Sequence, residues 1–279
     1  MLKARVVTAL LLLAGFLAML FLLPFSGWLL FACAIVGIGT WEWGGLLKLG
    51  AAWRFGNAFA VMALCGALGW MVFDPDTGAV DQVTWLMAVY LLAGLFWILV
   101  VPVWLGMRWV VTVWPAGLLA GMAVLVPAGL AMMQLRAFAP LFLLAAMASV
   151  WVADISAYVF GRMYGRHKLA TTISPGKTWE GAAGAVAGVL LYGMTVAWAT
   201  ERLPNSPVGL GLFSLALVAL TAVSILGDLF ESLVKRQAGV KDSGAILPGH
   251  GGVLDRIDSL TSTLPLLGLA VLCWEGGMQ

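Results

Sequence analysis

Long apolar stretches separated by short polar ones set the pattern of this chain. A helix needs about 20 largely apolar residues to cross the hydrocarbon layer of a bilayer. About nine stretches meet that rule, at approximately 6–23, 26–42, 57–73, 83–103, 112–133, 139–160, 180–199, 207–228 and 253–274. The last is the weakest, because Pro265 interrupts it and its first third is polar. The expected fold is all-α, a polytopic transmembrane helical bundle of about nine spans. It forms one integral-membrane unit over 1–279, with 1–140 mainly scaffold spans and 141–279 carrying the active site. No repeat, low-complexity tract or soluble domain interrupts it.

Composition agrees with the pattern. Hydrophobic residues make up 62% of the chain and charged residues 10%, against about a quarter charged in soluble domains, and the mean hydropathy is +1.02. A net charge of +2, with basic residues scattered over loops, excludes a nucleic-acid-binding stripe. Cys33, Cys65 and Cys273 lie in apolar runs without metal-ligand spacing and read as packing residues. Lys3 and Arg5 precede the first apolar run, as in a secretory signal, but no small-residue cleavage site ends that run, so an uncleaved first span is expected.

Charge also orients the bundle. Lys and Arg prefer cytoplasmic loops. With a cytoplasmic N-terminus, every one of the 15 Lys+Arg except Arg136 and Arg202 falls on that side, and the acidic loop around Asp74, Asp76 and Asp81 falls opposite.

The remaining charges are concentrated. Asp228, Glu231, Lys235, Arg236, Lys241, Asp242, Asp255, Arg256 and Asp258 crowd one segment between the last two spans, and ionised groups beside a bilayer usually serve a site or a pathway. If the eighth span continues as helix, Asp228, Glu231 and Lys235 share a face at i, i+3 and i+7, with Ser232 and Arg236 on the adjoining strip and Gly239 as the stop. The connector 241–252, with Gly244, Gly249, Gly251 and Gly252, is a loop whose N–H groups can approach a phosphate. Asp255 and Asp258 then share a face of the last helix. Hard cations take carboxylate, phosphate and water oxygens, whereas His167 and His250 are too few for a zinc site. The whole reads as a cation and phosphate site for phosphoryl or nucleotidyl transfer.

A second element precedes it. Ser174-Pro175-Gly176-Lys177-Thr178-Trp179-Glu180-Gly181 reads as a helix start with a Ser or Thr cap, Glu in the first turn and Lys177 as a mobile cation at an anion-attracting end. It is not a P-loop, since Thr171 stands where that motif needs Gly and no strand is expected before it. Asp154 stands alone in the sixth apolar run, as a structural or a functional acid with equal weight. Glu42, between Trp41 and Trp43, reads as part of an aromatic belt at a membrane edge.

Ser232-Leu-Val-Lys235-Arg236, then Lys241-Asp242-Ser-Gly, then Leu247-Pro248-Gly249-His250-Gly251-Gly252-Val-Leu-Asp255-Arg256-Ile-Asp258 resembles the signature of the phosphatidate cytidylyltransferase, or CDP-diacylglycerol synthase, family. SPGKTWEG resembles that family's second block, and the likeness runs over essentially the whole chain. The resemblance implies the Mg²⁺-dependent reaction of CTP with phosphatidate to give CDP-diacylglycerol and pyrophosphate. It implies Asp228 and Asp255 as metal ligands, with room for a second cation such as K⁺, and a homodimer in the cell inner membrane. On this reading Asp228, Asp255, Lys241 and Arg256 are catalytic. Ser174, Lys177, Thr178, Glu180, Glu231, Lys235, Arg236, Asp242, His250, Gly251, Gly252 and Asp258 bind substrate, with Asp258 and Asp242 orienting Arg256 and Lys241. An ion-coupled transporter is the rival class, but it has little use for so long a charged connector.

These placements predict that a cysteine introduced into 235–252 is labelled by a membrane-impermeant reagent only from the cytoplasmic face; labelling from the other face overturns the topology.

Overall fold

The computed structural model describes the backbone of residues 2–111, 114–247, 249 and 251–276, and their side chains except for 2–9, 114, 275 and 276. Its helices are α1 (Leu2–Leu22), α2 (Phe25–Leu46), α3 (Ala51–Val72), α4 (Val83–Leu95), α5 (Val101–Met107), α6 (Trp114–Phe138), α7 (Pro140–Tyr164), α8 (Trp179–Ala199), α9 (Pro207–Ala238) and α10 (Leu254–Gly276). A π-helical turn, Phe96–Val100, joins α4 to α5 in one rod. Among the described residues eight rods have the length and hydropathy to cross a bilayer, and the apolar part of α1, Leu10–Leu22, is shorter. The protein is thus an all-α, multi-pass membrane protein. Helices suit this solvent because each satisfies its own backbone hydrogen bonds where water cannot.

Departures from the predicted boundaries have local causes. α3 starts at Ala51, ahead of the expected 57, because Arg54 in its first turn lies 4.3 Å over the Trp41 ring and donates Nε–H to the Trp41 carbonyl. A polar residue thus enters the helix without losing its partners. The π turn falls where Pro102 has no N–H to return to the preceding turn. Between α3 and α4, Asp74 accepts hydrogen bonds from the backbone N–H of Thr77 and of Asp76, and these bonds, that of Thr77 foremost, hold its carboxyl below the usual range.

One element was not expected. Lys168–Ala170 (β1) and Ser174–Thr178 (β2) pair as a small antiparallel hairpin, Lys168 opposite Thr178 and Ala170 opposite Ser174. Strands of three and five residues are too short for a two-residue alternation to stand out in sequence. The Gly176-Lys177-Thr178 triplet therefore lies on a strand, and a strand does precede it, yet the anion-cradling loop of a P-loop is still absent because the triplet itself is extended.

α9 positions the chemistry. Its 32 residues make a rod of about 48 Å, longer than the ~30 Å hydrocarbon layer. Phe230, fully buried, packs its ring 5.5 to 6.2 Å from those of Trp43, Phe96, Trp97 and Trp104. That aromatic cage turns the opposite face of α9, with Asp228, Glu231 and Lys235, toward α10. Gly227 allows the approach: a Cβ there would meet Ser262 Oγ at 2.6 Å and the Asp258 carbonyl at 2.8 Å. Ser259 and Ser262 bond the carbonyls of Ser224 and Val223 across the seam. Gln237 ties the far end, bonding both the Trp109 carbonyl and the Val111 N–H, and Gly239 stops the helix at φ 81°.

Phe230→Ala empties the cage, and a loss of about 3–5 kcal/mol is expected for so large a deletion. It should be read as a lowered Tm of the detergent-solubilised protein, and an unchanged Tm would remove Phe230 as the anchor of α9.

Candidate functional site

The site grows from two adjoining polar regions along α9. The first is a cavity of about 430 Å³ walled by α7, the hairpin, α8, α9 and one residue of α10, with Asp154, Tyr158, Ser174, Lys177, Asp228 and Ser259 among its polar lining and Ala153, Ala157, Leu169 and Ile225 among its apolar lining. Tight helix packing forms its back. Gly181 and Gly184 of α8 lie against the Ala157 carbonyl and the Phe160 side chain of α7, as small residues allow in membrane bundles. Thr178 caps α8 by accepting from the Gly181 N–H at 3.1 Å, the helix start expected from the sequence. On the strand ahead of that cap, Lys177 reaches Asp228 Oδ2 at 2.5 Å. Ser232 donates to Asp228 Oδ1 at 3.2 Å, one turn on. Asp154 lies in the field of Asp228, Lys177 and Arg256.

The second region is a buried network where α9 meets α10. Lys235, 9% exposed, places Nζ 2.7 Å from Asp255 Oδ1 and 3.4 Å from Glu231 Oε1. Asp255 Oδ2 accepts from the N–H groups of Ser243 and Gly252 at 2.9 and 2.8 Å. The glycine-rich connector is thus an anion cradle, as its composition predicted, but the anion in it is a carboxylate of the protein itself. The Gly252 N–H expected at a phosphate is engaged, and Gly251 accepts through its carbonyl from Leu247. Glu231, 3% exposed, keeps both carboxylate oxygens buried without a hydrogen-bond partner among the described residues.

The expected site residues therefore divide. The structure brings Ser174, Lys177 and Thr178 of the hairpin to Asp228, and Lys235 to Glu231 and Asp255. Asp228 and Asp255 each face their own lysine, at different levels of the seam. Asp258 bonds the N–H of Ser259. Among the described residues it makes no ion pair with Arg256, nor Asp242 with Lys241, so the orienting roles expected of these acids are not seen. Arg256, Lys241 and Asp242 are instead exposed. Glu180 turns away to His167, whose Nδ1 lies 2.6 Å from Oε1; a residue given no role in sequence thereby holds one assigned to substrate. Arg236 bonds the carbonyls of Ile173 and Val240, tying α9 to the hairpin. His250 lies outside the described residues.

Sequence reading left out three participants. Asp154 lines the cavity, and its one signal was a lone acid in an apolar run. Glu42 does not stand at a membrane edge. It is 1% exposed and bonded to the start of α10, because the N–H groups there need acceptors that no aromatic belt explanation considers. Ser243 bridges Glu42 and Asp255, a link invisible at a separation of about two hundred positions.

The donor set suits a hard cation. Asp228, Glu231, Asp255 and Asp258 offer carboxylate oxygens, and the buried oxygens of Glu231, which make no hydrogen bond among the described residues and have the Lys235 ammonium 3.4 Å from one of them, are of the kind a cation satisfies. Among the described residues no three or more such side chains gather at one point. A cation here would draw one or two carboxylates from the protein and the rest from phosphate and water, as Mg²⁺ commonly does.

Lys235 and Lys177 should separate in their effects. Lys235→Met strands buried carboxylates and is expected to cost about 3–5 kcal/mol of stability. Lys177→Met breaks a pair that is about a quarter exposed, so its effect on stability should stay within about 1 kcal/mol while activity falls. Paired measurements of Tm and turnover check this, and a Tm lowered as much by Lys177→Met as by Lys235→Met overturns it.

Comparison with known proteins assigns the chain to a family. The model of the cytidylyltransferase family matches residues 3–274. A phosphatidate cytidylyltransferase of Pseudomonas aeruginosa is 39% identical over 99% of this chain and 98% of its own length. Those of Haemophilus influenzae and Brucella abortus are 47% and 52% identical over 42% and 44% of this chain, covering 40% and 43% of their own. With a family match across nearly its whole length and a relative aligned end to end, this chain belongs to the cytidylyltransferase family.

Proposed function

We propose that this chain transfers the CMP unit of CTP to phosphatidate, giving CDP-diacylglycerol and pyrophosphate, and does so in the cavity that Lys177 and Asp228 share. The observation that carries the reading is the character of that cavity. One wall presents Ser174, Lys177 and Thr178 on a strand, and another presents Ala153, Ala157, Leu169 and Ile225. A phosphate headgroup attached to acyl chains needs both surfaces, and the end-to-end relative from Pseudomonas aeruginosa bears the name of this activity.

Two polyanions meet here, so the first task of the protein is to neutralise them. Lys177 does so at the cavity, and the exposed Lys241 and Arg256 do so from the connector and the first turn of α10. A phosphate oxygen of phosphatidate, already ionised near neutral pH, attacks the α-phosphorus of CTP in line. The bond from that phosphorus to the bridging oxygen breaks, and pyrophosphate leaves with the electron pair, its charge met by these basic side chains. No general base of high strength and no covalent nucleotidyl-enzyme is required by this direct displacement, and the one exposed cysteine, Cys273, lies far along α10 from the connector. Asp228 and Asp255 would hold Mg²⁺, with a second cation such as K⁺ beside it. Mg²⁺ when bound would supply charge neutralisation on the triphosphate and the departing pyrophosphate. The protein works as a homodimer in the cell inner membrane with this cavity on the cytoplasmic side. The bias of basic residues to one face supports that orientation.

Incubation of the purified protein with CTP and phosphatidate should yield CDP-diacylglycerol; phosphorylated lipid instead would indicate a kinase. Asp228→Asn and Asp255→Asn should each remove most activity, since an amide is a poor ligand for a hard cation, and near-normal turnover of Asp255→Asn at low Mg²⁺ overturns the ligand assignment. A chiral α-thiotriphosphate should react with inversion at phosphorus, whereas net retention would require two displacements.

A further inference from the structure

Glu42 belongs to the helices that the sequence marks as scaffold, yet its carboxylate touches the connector and the start of α10 together. Oε1 accepts from the Val253 N–H at 3.0 Å, and Oε2 accepts from the Leu254 N–H at 2.7 Å. Oε2 also lies 3.1 Å from Ser243 Oγ, which is 3.0 Å from Asp255 Oδ2. The single hydroxyl proton serves one of these acceptors at a time, and backbone N–H groups hold the other. Two carboxylates thus clasp one serine from opposite sides, and the positive end of α10 favours both.

The surroundings are shaped to this contact. A Cβ at Gly244 or at Gly252 would come within 2.5 Å of a Glu42 carboxylate oxygen, so the glycines of the connector make room for Glu42. Trp43, the next residue, bonds the Gly117 carbonyl at 2.9 Å and stacks on Phe230, which fixes the end of α2 and the level of Glu42. A second tie lies farther along the connector, where Ile246 shares an apolar groove with Ile38, Trp41, Phe55 and Phe59 of α2 and α3.

We propose that Glu42 is a positioning residue for the transfer reaction. From α2 it sets the connector and the first turn of α10, so that Asp255 meets Lys235 in the register seen here. The inference rests on reading the connector as part of the transfer site. A glutamine cannot replace Glu42, because its amide nitrogen would face a backbone N–H where an oxygen now accepts.

The test uses the full-length protein in a Cys273→Ser background carrying Ala245→Cys, since Cys33 and Cys65 are buried and Ala245 is exposed. Adding Glu42→Gln should lower Tm by several degrees while the protein still folds, speed thiol labelling in the connector, and lower kcat roughly tenfold to a hundredfold, the scale of a charge-assisted hydrogen bond felt at the barrier. The KM values for CTP and phosphatidate should move less than about threefold, because orientation rather than substrate affinity is lost. A kcat within about twofold of the parent overturns the proposal, whether or not labelling quickens, since faster labelling alone would make Glu42 a cap of the fold and nothing more. Should Glu42→Gln not fold, Ser243→Ala decides: it removes only the bridge, and it should lower kcat about threefold to tenfold and quicken labelling, with parental values of both overturning the proposal. A parent that labels as expected but makes no CDP-diacylglycerol would point to failure of the functional reading instead.

Discussion

Charge survives among packed apolar helices only where every charge meets a partner, and the seam between α9 and α10 is built around that constraint. Lys235 is enclosed with Asp255 and Glu231, and moving any of the three from water without the others would cost several kcal/mol. Asp255 is satisfied on its other oxygen by the connector, and the connector is satisfied by Glu42. The chain of dependence runs from a lysine on α9 through a loop to a glutamate on α2. Apolar packing supplies the frame for it: the cage around Phe230 rotates α9 so that its polar face meets α10 and the hairpin instead of lipid.

This arrangement gives the two ends of the site different characters. At Lys235 the charges are closed in, with Asp255 bonded on both oxygens, which holds that end of the seam in place. At Lys177 and Asp228 the pair is partly open and lines a cavity, so it can exchange its partner for a phosphate or a cation. Phosphoryl-group transfer calls for both: rigid placement of reacting groups, and cations free to follow charge as it moves to the leaving pyrophosphate. The short hairpin provides the placement of Lys177, because a strand capped directly into α8 by Thr178 has less freedom than the loop expected there.

The residues of 241–252 show how composition and geometry can agree on physics and differ on the occupant. Glycines expose N–H groups, and exposed N–H groups seek anions. The protein supplies two of its own anions, so the connector is held in shape by Asp255 and Glu42. What remains outward are the cations Lys241 and Arg256, without internal partners among the described residues, and these can meet a polyanionic substrate.

The sequence alone determined the membrane-spanning all-α class, since runs of about 20 apolar residues have no other stable arrangement in a bilayer. It also determined the family, because Ser232 to Asp258 and Ser174 to Gly181 are local strings whose spacing is read directly. It located the charged segment, the shared face of Asp228, Glu231 and Lys235, a helix start capped by Ser or Thr within 174–181 and the Gly239 stop, each of which depends on neighbours within about two helical turns. Tertiary structure decided the rest. That Lys177 meets Asp228, that Asp255 meets Lys235, that Glu180 turns to His167 and that Glu42 holds the start of α10 all depend on which helix faces lie together. Those faces are chosen by long-range packing, of Phe230 in its aromatic cage and Gly227 against Ser262, and no local pattern of hydrophobic and polar residues encodes a partner about two hundred positions away.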